Sequence, residues 1–269
     1  MSNFFKDKVV AITGGSEGIG KALIDALIPL GAKIATCGRN QDKLYDLQVQ
    51  YSNHLLHTVV CDVSRLDDCE NFISSTIKTF GGIDILINNA GVSMRALVKD
   101  AEIEVIEKVM GVNFFGTVYC TKLAMDSIIK NKGTIVGISS IAGYRGLPGR
   151  SGYSASKFAI NGWLEALRTE LLDSGVNVMW VAPGFTSSNI RKAALNSKGE
   201  LQRESPMNEK QMMSTEECAR NILHAIEKRK RNLVMTFRGK QTLFLNKFFP
   251  SFTDRMVRKF FFKNGELVK

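Results

Sequence analysis

Histidine is scarce here, with three among 269 residues, and the five cysteines (Cys37, Cys61, Cys69, Cys120, Cys218) are odd in number and scattered. That pattern lacks the paired spacing of a zinc site and the density of a disulfide scaffold, so no metal centre is expected and the thiols read as reduced. No stretch reaches the roughly 18 to 20 consecutive apolar residues that a spanning helix needs, so no membrane crossing is expected. The opening MSNFFKDKVVAITGG runs into a strand at once, leaving no room for a charged segment followed by an apolar one, and no secretion signal is expected. Repeats, low-complexity tracts and Pro/Gly linkers are also missing, and the length suits one domain. The formal charge of +10 is confined to one end: residues 228–269 hold twelve Lys/Arg against Asp254 and Glu266, which leaves residues 1–227 neutral.

What is present is a rhythm. Short apolar, β-branched runs (9–13, 33–37, 57–61, 84–88, 134–139 and 176–181) alternate with longer stretches of helical periodicity such as KALIDALIPL. Such alternation predicts repeated βαβ units, an α/β, doubly wound Rossmann-like fold whose strands are buried on both faces. A seventh strand is expected at NLVMTF. Ser214 and Glu217, three apart, have the capping-box pattern and predict a helix start.

Directly after the first run stands Thr13-Gly14-Gly15-Ser16-Glu17-Gly18-Ile19-Gly20, then an amphipathic helix. Glycines there let the backbone approach a pyrophosphate at a helix N-terminus, so Gly14, Ser16, Glu17, Gly18, Ile19 and Gly20 are expected to hold a dinucleotide. Lys21 imitates a triphosphate-binding loop, but Ala22 stands where that loop needs a hydroxyl for magnesium. The second run ends in Cys37-Gly38-Arg39-Asn40, with no acid for a ribose 2′-hydroxyl; Arg39 can pair with a 2′-phosphate, which favours NADP(H), with NAD as second choice. Glu17 opposes this if it faces the phosphate.

Tyr153 and Lys157, four apart at the head of a helical stretch, share one face. An ammonium beside the phenol lowers its pKa and fits it for acid–base work, and Ser139 or Ser140, ending the preceding strand, can hold a carbonyl oxygen. A Tyr-x-x-x-Lys pair alone is commonly an exposed helix face; the glycine-rich turn upstream is what gives it meaning.

Taken together, TGGSEGIG at 13–20, Asp62 in CDV, NNAG at 88–91, Asn113 in VNFFG, YSASK at 153–157 and Pro183-Gly184 resemble the short-chain dehydrogenase/reductase family over about residues 6–230. The resemblance implies Ser140, Tyr153 and Lys157 as the catalytic set. Tyr153 moves the proton, Lys157 lowers its pKa and binds the nicotinamide ribose, and Ser140, thirteen residues before the tyrosine, contacts substrate, leaving Ser139 as a structural residue. Asn113 would hold a water joining Lys157 to solvent. Asp62 and Val63 would touch the adenine, Asn89, Ala90 and Gly91 the middle of the cofactor, and Pro183, Gly184, Thr186 and Ser188 the nicotinamide end. It also implies a homodimer or homotetramer.

Residues 185–213 form a long connection expected to cover the substrate, and Met94, Leu97, Ile141, Tyr144 and Phe185 are candidates for an apolar pocket. Beyond an expected catalytic domain at 1–239, the extension 240–269 places Met256, Val257, Phe260 and Phe261 on one helical side from Phe252 onward, with Arg255, Arg258 and Lys259 between. Such a helix can lie in a membrane interface or pack on the domain or a partner. The tail resembles that of lipid-active members of the family that act on steroids or sphingoid bases, and no nucleic-acid reader module is present. The expectation is an NADP(H)-dependent enzyme interconverting a ketone and a secondary alcohol on a lipophilic substrate, cytoplasmic with peripheral membrane contact. A 3-oxoacyl thioester reductase, a sphingoid or steroid ketone reductase and a non-catalytic NADP-binding sensor are the alternatives.

Overall fold

The apolar runs become seven parallel strands in the computed structural model, which describes residues 3–207 and 212–268; residues 208–211 of the expected substrate loop, and residues 1, 2 and 269, lie outside the described residues. The strands are β1 (Val9–Thr13), β2 (Lys33–Gly38), β3 (Leu56–Val60), β4 (Ile85–Asn88), β5 (Thr134–Ile138), β6 (Asn177–Ala182) and β7 (Asn232–Val234). Their order is β3-β2-β1-β4-β5-β6-β7. Every residue of β1, β4 and β5 is buried, which is why these segments read as unbroken apolar runs.

The connecting helices are α1 (Gly18–Leu27), α2 (Gln41–Gln50), α3 (Leu66–Phe80), α4 (Ile103–Met110), α5 (Gly116–Lys130), α6 (Ser151–Glu170) and α7 (Thr215–Glu227). They bury two apolar layers. On one face, α1 and α7 pack together over Ile12 and Ile87, with Leu23, Leu27, Ile222 and Leu223 in contact. On the other, Phe72, Cys120, Ile128, Ile160 and Leu164 from α3, α5 and α6 cover Ala11, Leu86 and Ile135. Strand order reverses between β1 and β4, and in open α/β sheets a crevice for ligands opens at the carboxyl ends of such neighbours.

Helix starts follow their sequence signals. Ser214 Oγ accepts from the Glu217 amide at 3.1 Å, and Asn40 Oδ1 from the Lys43 amide at 2.9 Å. The seventh strand is shorter than its sequence run: it stops at Val234 because Thr236 caps the next helix, its Oγ1 accepting from the Gly239 amide at 3.0 Å.

That helix, α8 (Phe237–Phe248), runs through the boundary expected between 239 and 240, and α9 (Pro250–Phe261) follows. A hairpin, β8 (Phe262–Lys263) with β9 (Glu266–Leu267), ends the described chain. In α9 the expected single apolar side is split. Thr253, Val257 and Phe261 face the domain and are buried, whereas Phe252, Met256 and Phe260 sit at the rim with much of their surface in water. Arg145 fastens the pair of helices by donating to Asn246 on α8 and Asp254 on α9. Among the described residues no helix is long and apolar enough to cross a membrane.

Candidate active site

The glycine-rich turn is a cradle built from close approaches. Gly14 and Gly18 adopt φ of 70° and 57°, values that favour glycine. A Cβ on Gly20 would stand 2.2 Å from the Gly14 carbonyl oxygen, so only glycine lets α1 begin so near the turn. Gly20 therefore shapes the site from beneath and does not line it. Asn89 ties the turn from behind, its Nδ2 donating to the Thr13 and Gly14 carbonyls at 3.0 and 3.1 Å, while Thr13 Oγ1 accepts from the Asn89 and Ala90 amides.

From this turn a cleft of about 1230 Å³ runs past the ends of β2, β4, β5 and β6. Gly14, Ser16, Glu17, Gly18, Ile19, Arg39, Asp62, Val63, Asn89 and Ala90 line its glycine-rich end and Ser140, Tyr153, Lys157, Pro183, Gly184 and Thr186 its catalytic end; Gly91, close to Lys157, and Ser188, close to Gly18, line it where the two meet. The dimensions and the donors suit an extended dinucleotide.

Glu17 does not face that end unopposed. Burial pushes its pKa up, but the Asn189 amide at 3.0 Å and the Lys43 ammonium at 3.0 Å outweigh this, so the carboxylate stays ionised and neutralised. Lys43, one turn into α2 beside Arg39, was not singled out from the sequence. Its signal was the cap at Asn40, which directs the first turn of α2 toward the cleft.

At the catalytic end, Tyr153 and Lys157 lie one turn apart on α6, with the Lys157 Nζ 5.7 Å from the centre of the tyrosine ring. Lys157 Nζ donates to the Ile138 carbonyl at 2.7 Å, and burial brings its pKa down to about 8. Tyr153 departs from expectation. Burial pushes its pKa up, outweighing the Ser140 hydrogen bond and the nearby Arg150 and Arg191 guanidinium groups that pull it down, so the side chain is a phenol at neutral pH. Ser140 bonds the phenol and also accepts from the Ala142 amide at 3.1 Å. Ser139 also lines the cleft, and its hydroxyl donates to the Lys157 carbonyl at 3.3 Å.

Asn113 lies behind the cleft lining, its Oδ1 and the Lys157 Nζ both close to the Cβ position of Gly91, at 3.2 and 3.6 Å. It is fully buried in a π-turn, Gly111–Phe115, between α4 and α5. Its Oδ1 accepts from the Val92 amide at 2.8 Å, and its Nδ2 donates to the Val92 carbonyl and to Ser156 Oγ. These bonds staple the loop after β4 to α6 and use both amide hydrogens, leaving one Oδ1 lone pair. Of the expected pocket residues, Ile141 and Phe185 line the cleft, but Met94, Leu97 and Tyr144 do not. Met94 is buried against Gly152 and Ile106 near α4 and α6, and the Tyr144 hydroxyl accepts from Trp180 Nε1 at 2.7 Å. The apolar wall comes instead from the tail: Leu245, Met256, Val257, Phe260 and Phe261, with Phe185 stacked on Phe260 at 6.4 Å. Arg150 and Arg191, also unforeseen, line the same end.

A doubly wound sheet with a serine, a tyrosine and a lysine gathered beside a glycine-rich cleft defines a nicotinamide-dependent oxidoreductase acting on CH–OH groups. Residues 8–199 match the short chain dehydrogenase family, and the chain belongs to it. Among its relatives, dehydrogenase/reductase SDR family member 7B of Rattus norvegicus is 34% identical over 242 residues, spanning 87% of this chain and 74% of that one. The Danio rerio protein of the same name is 31% identical over 262 residues, spanning 94% and 85%. A short-chain dehydrogenase from Streptomyces avermitilis superposes with a TM-score of 0.80 at 22% identity over 95% and 99% of the two chains. An alcohol dehydrogenase from Thermococcus sibiricus, solved with 5-hydroxy-NADP, gives 0.75 at 23% over 85% and 95%. At these identities the two structures speak for the fold.

Proposed function

We propose that this protein is an NADP(H)-dependent reductase that interconverts a lipophilic ketone and its secondary alcohol. The observation that carries the reading is the Tyr153 phenol, kept protonated by burial, bonded to Ser140 and placed one turn from Lys157 at the end of the cleft. A phenol at neutral pH is a proton donor, the form that carbonyl reduction requires.

The residues present fit the cofactor: the turn from Gly14 to Gly20 for the pyrophosphate, Asp62 and Val63 for the adenine, and Lys157 for the ribose. Arg39 and Lys43 together would meet a 2′-phosphate, and Glu17, already neutralised by Lys43, no longer argues for NAD. When bound, the nicotinamide supplies the hydride. The protein's part is to orient the carbonyl carbon, to hold its oxygen against Ser140 and to deliver the Tyr153 proton to that oxygen as the carbon is reduced. Lys157, as an ammonium, stabilises the phenolate that remains. Oxidation runs the same steps backwards. The Met and Phe side chains from α9 favour a lipophilic substrate. The exposed Phe244, Phe248, Phe249 and Phe252, set among basic residues, support docking of the 240–269 extension on a membrane surface.

The test is turnover of long-chain ketones by the wild-type and Tyr153→Phe proteins, with parallel fluorescence titrations of NADPH and NADH. The expected results are a fall in kcat of about 10² to 10⁴ with unchanged cofactor affinity, and NADPH bound at least tenfold more tightly, about 1.4 kcal/mol. Retained activity removes Tyr153 from the mechanism, and equal affinities withdraw the NADP assignment.

A further inference from the structure

We infer that Arg150 and Arg191 form an anion subsite beside the reacting oxygen, so that the substrate is an amphiphile with a carboxylate or phosphate a few bonds from its carbonyl. The inference rests on the reductase reading and deepens it.

Arg150 stands at the head of α6, three residues before Tyr153, and Arg191 lies in the connection after β6. Both line the catalytic end of the cleft with Ser140 and Tyr153. They are 8% and 6% exposed, unusual for arginines, which remain charged at any physiological pH. Arg191 Nη2 donates to the Thr186 carbonyl at 2.7 Å. Arg150 takes part in no ion pair among the described residues, and its Nε is buried without a hydrogen-bond partner. Burial disfavours its charge most; Tyr153 favours it, Arg191 and Arg95 disfavour it again, and the balance lies against the charge.

Among the described residues, the carboxylates that line the cleft do not relieve it. Glu17 is held by Lys43 and Asn189, Asp62 accepts from Ser64 at 2.7 Å, and Glu200 accepts from Asn196 at 2.9 Å. A desolvated guanidinium is strongly destabilising without an anion, and its planar fork matches carboxylate and phosphate oxygens. The missing anion belongs to a ligand. It does not belong to the expected cofactor phosphates, for which the glycine-rich turn and Arg39 with Lys43 already provide at the other end of the cleft. Arg150 is the N-cap of α6, and its guanidinium acts electrostatically on the Tyr153 phenol, so an anion held by it sits close to the oxygen that Tyr153 serves. The apolar wall of Leu245, Met256 and Phe260 then receives the alkyl chain.

The experiment is calorimetric titration of the NADPH-loaded protein with octyl phosphate, octanoate and octanol, using the wild type, Arg150→Met and Arg150→Lys. At least one anion is expected to bind tenfold more tightly than octanol, about 1.4 kcal/mol. Methionine abolishes that preference, lysine retains part of it, and the phosphate and carboxylate arms show which head group is taken. Because Arg150→Met removes an uncompensated charge, its Tm should equal or exceed that of the wild type, whereas a merely structural arginine would lower it. If the methionine variant does not fold, the lysine variant and Arg191→Met carry the same comparison. Octanol bound as tightly as both anions, or an anion preference that survives Arg150→Met, overturns the subsite. So does a tenfold loss of NADPH affinity in Arg150→Met with anion preference intact, since the arginine would then serve the cofactor. Anion preference in a protein that turns over no ketone removes the reductase reading and leaves the subsite standing; turnover of neutral ketones with no anion preference does the reverse.

Discussion

The two ends of the cleft are built on different principles. At the glycine-rich end the turn is fixed by bonds to backbone, as Asn89 is bonded to Thr13 and Gly14, and the walls are strand ends fixed by the sheet. At the catalytic end, the far wall is two helices at the end of the chain, clasped to the loop after β5 by Arg145 and Asn246, with phenylalanines left in water. A backbone-built site recognises a ligand common to many enzymes, while a wall of appended side chains is free to suit one substrate.

The sharpest way to break this comparison is at Gly20. Gly20→Val drives side-chain carbon into the Gly14 carbonyl and should destabilise the fold by about 3 kcal/mol and weaken NADPH binding about a hundredfold, roughly 2.7 kcal/mol; a thermal melt and a fluorescence titration read both. The counterpart is Phe261→Ala, which removes the buried anchor of α9. By the loss typical of core phenylalanines, about 3 kcal/mol, the tail helices should loosen and KM for a lipophilic ketone should rise about tenfold. NADPH affinity should not change. Equal damage to both ligands in either variant would mean that the two ends are not separable.

A pH series sharpens the catalytic end. Lys157 has a folded pKa of about 8 against 10.5 for a free lysine. Below about 8 both states carry the proton; between about 8 and 10.5 the unfolded chain binds more protons, so stability should rise with pH across that window, and Lys157→Met should remove the rise. Activity should move the opposite way, falling several-fold as pH climbs through about 8 and the ammonium is lost. The smallest effect belongs to the frame: Ser214→Ala deletes the α7 cap and should cost about 1 kcal/mol, seen as a modest fall in Tm with KM unchanged.

The frame was legible because each of its parts has a local cause. Apolar runs mark buried strands, and glycines mark a turn that only glycine can make. The catalytic end was legible only as far as its motif. Arg150 and Arg191 were not singled out from the sequence, where nothing marks an arginine as buried, and only the folded chain shows them stripped of water. Met94, Leu97 and Tyr144 sit next to motif residues in the sequence, yet neighbours along a strand or loop point in different directions. The split of α9 into buried and rim positions depends on where the sheet stops, which no periodicity within the helix reveals. One signal was there to be read: Asn264-Gly265, at φ of 52° and 83°, is the hairpin dipeptide that turns β8 into β9. Cys37, Cys61, Cys69 and Cys120 are buried together on one face of the sheet, and burial with the neighbouring thiols raises the pKa of the first three, which keeps them poor nucleophiles.

The π-turn that holds Asn113 has a further effect on the architecture. An α-helix advances 100° per residue, so the wider turn at Gly111–Phe115 slips the phase of everything that follows it. The segment before the slip lies against α6 and the segment after it against α3. A single continuous rod thereby addresses two neighbours on different sides, and removing one residue from the slip would rotate α5 away from α3 while leaving the catalytic helix where it is.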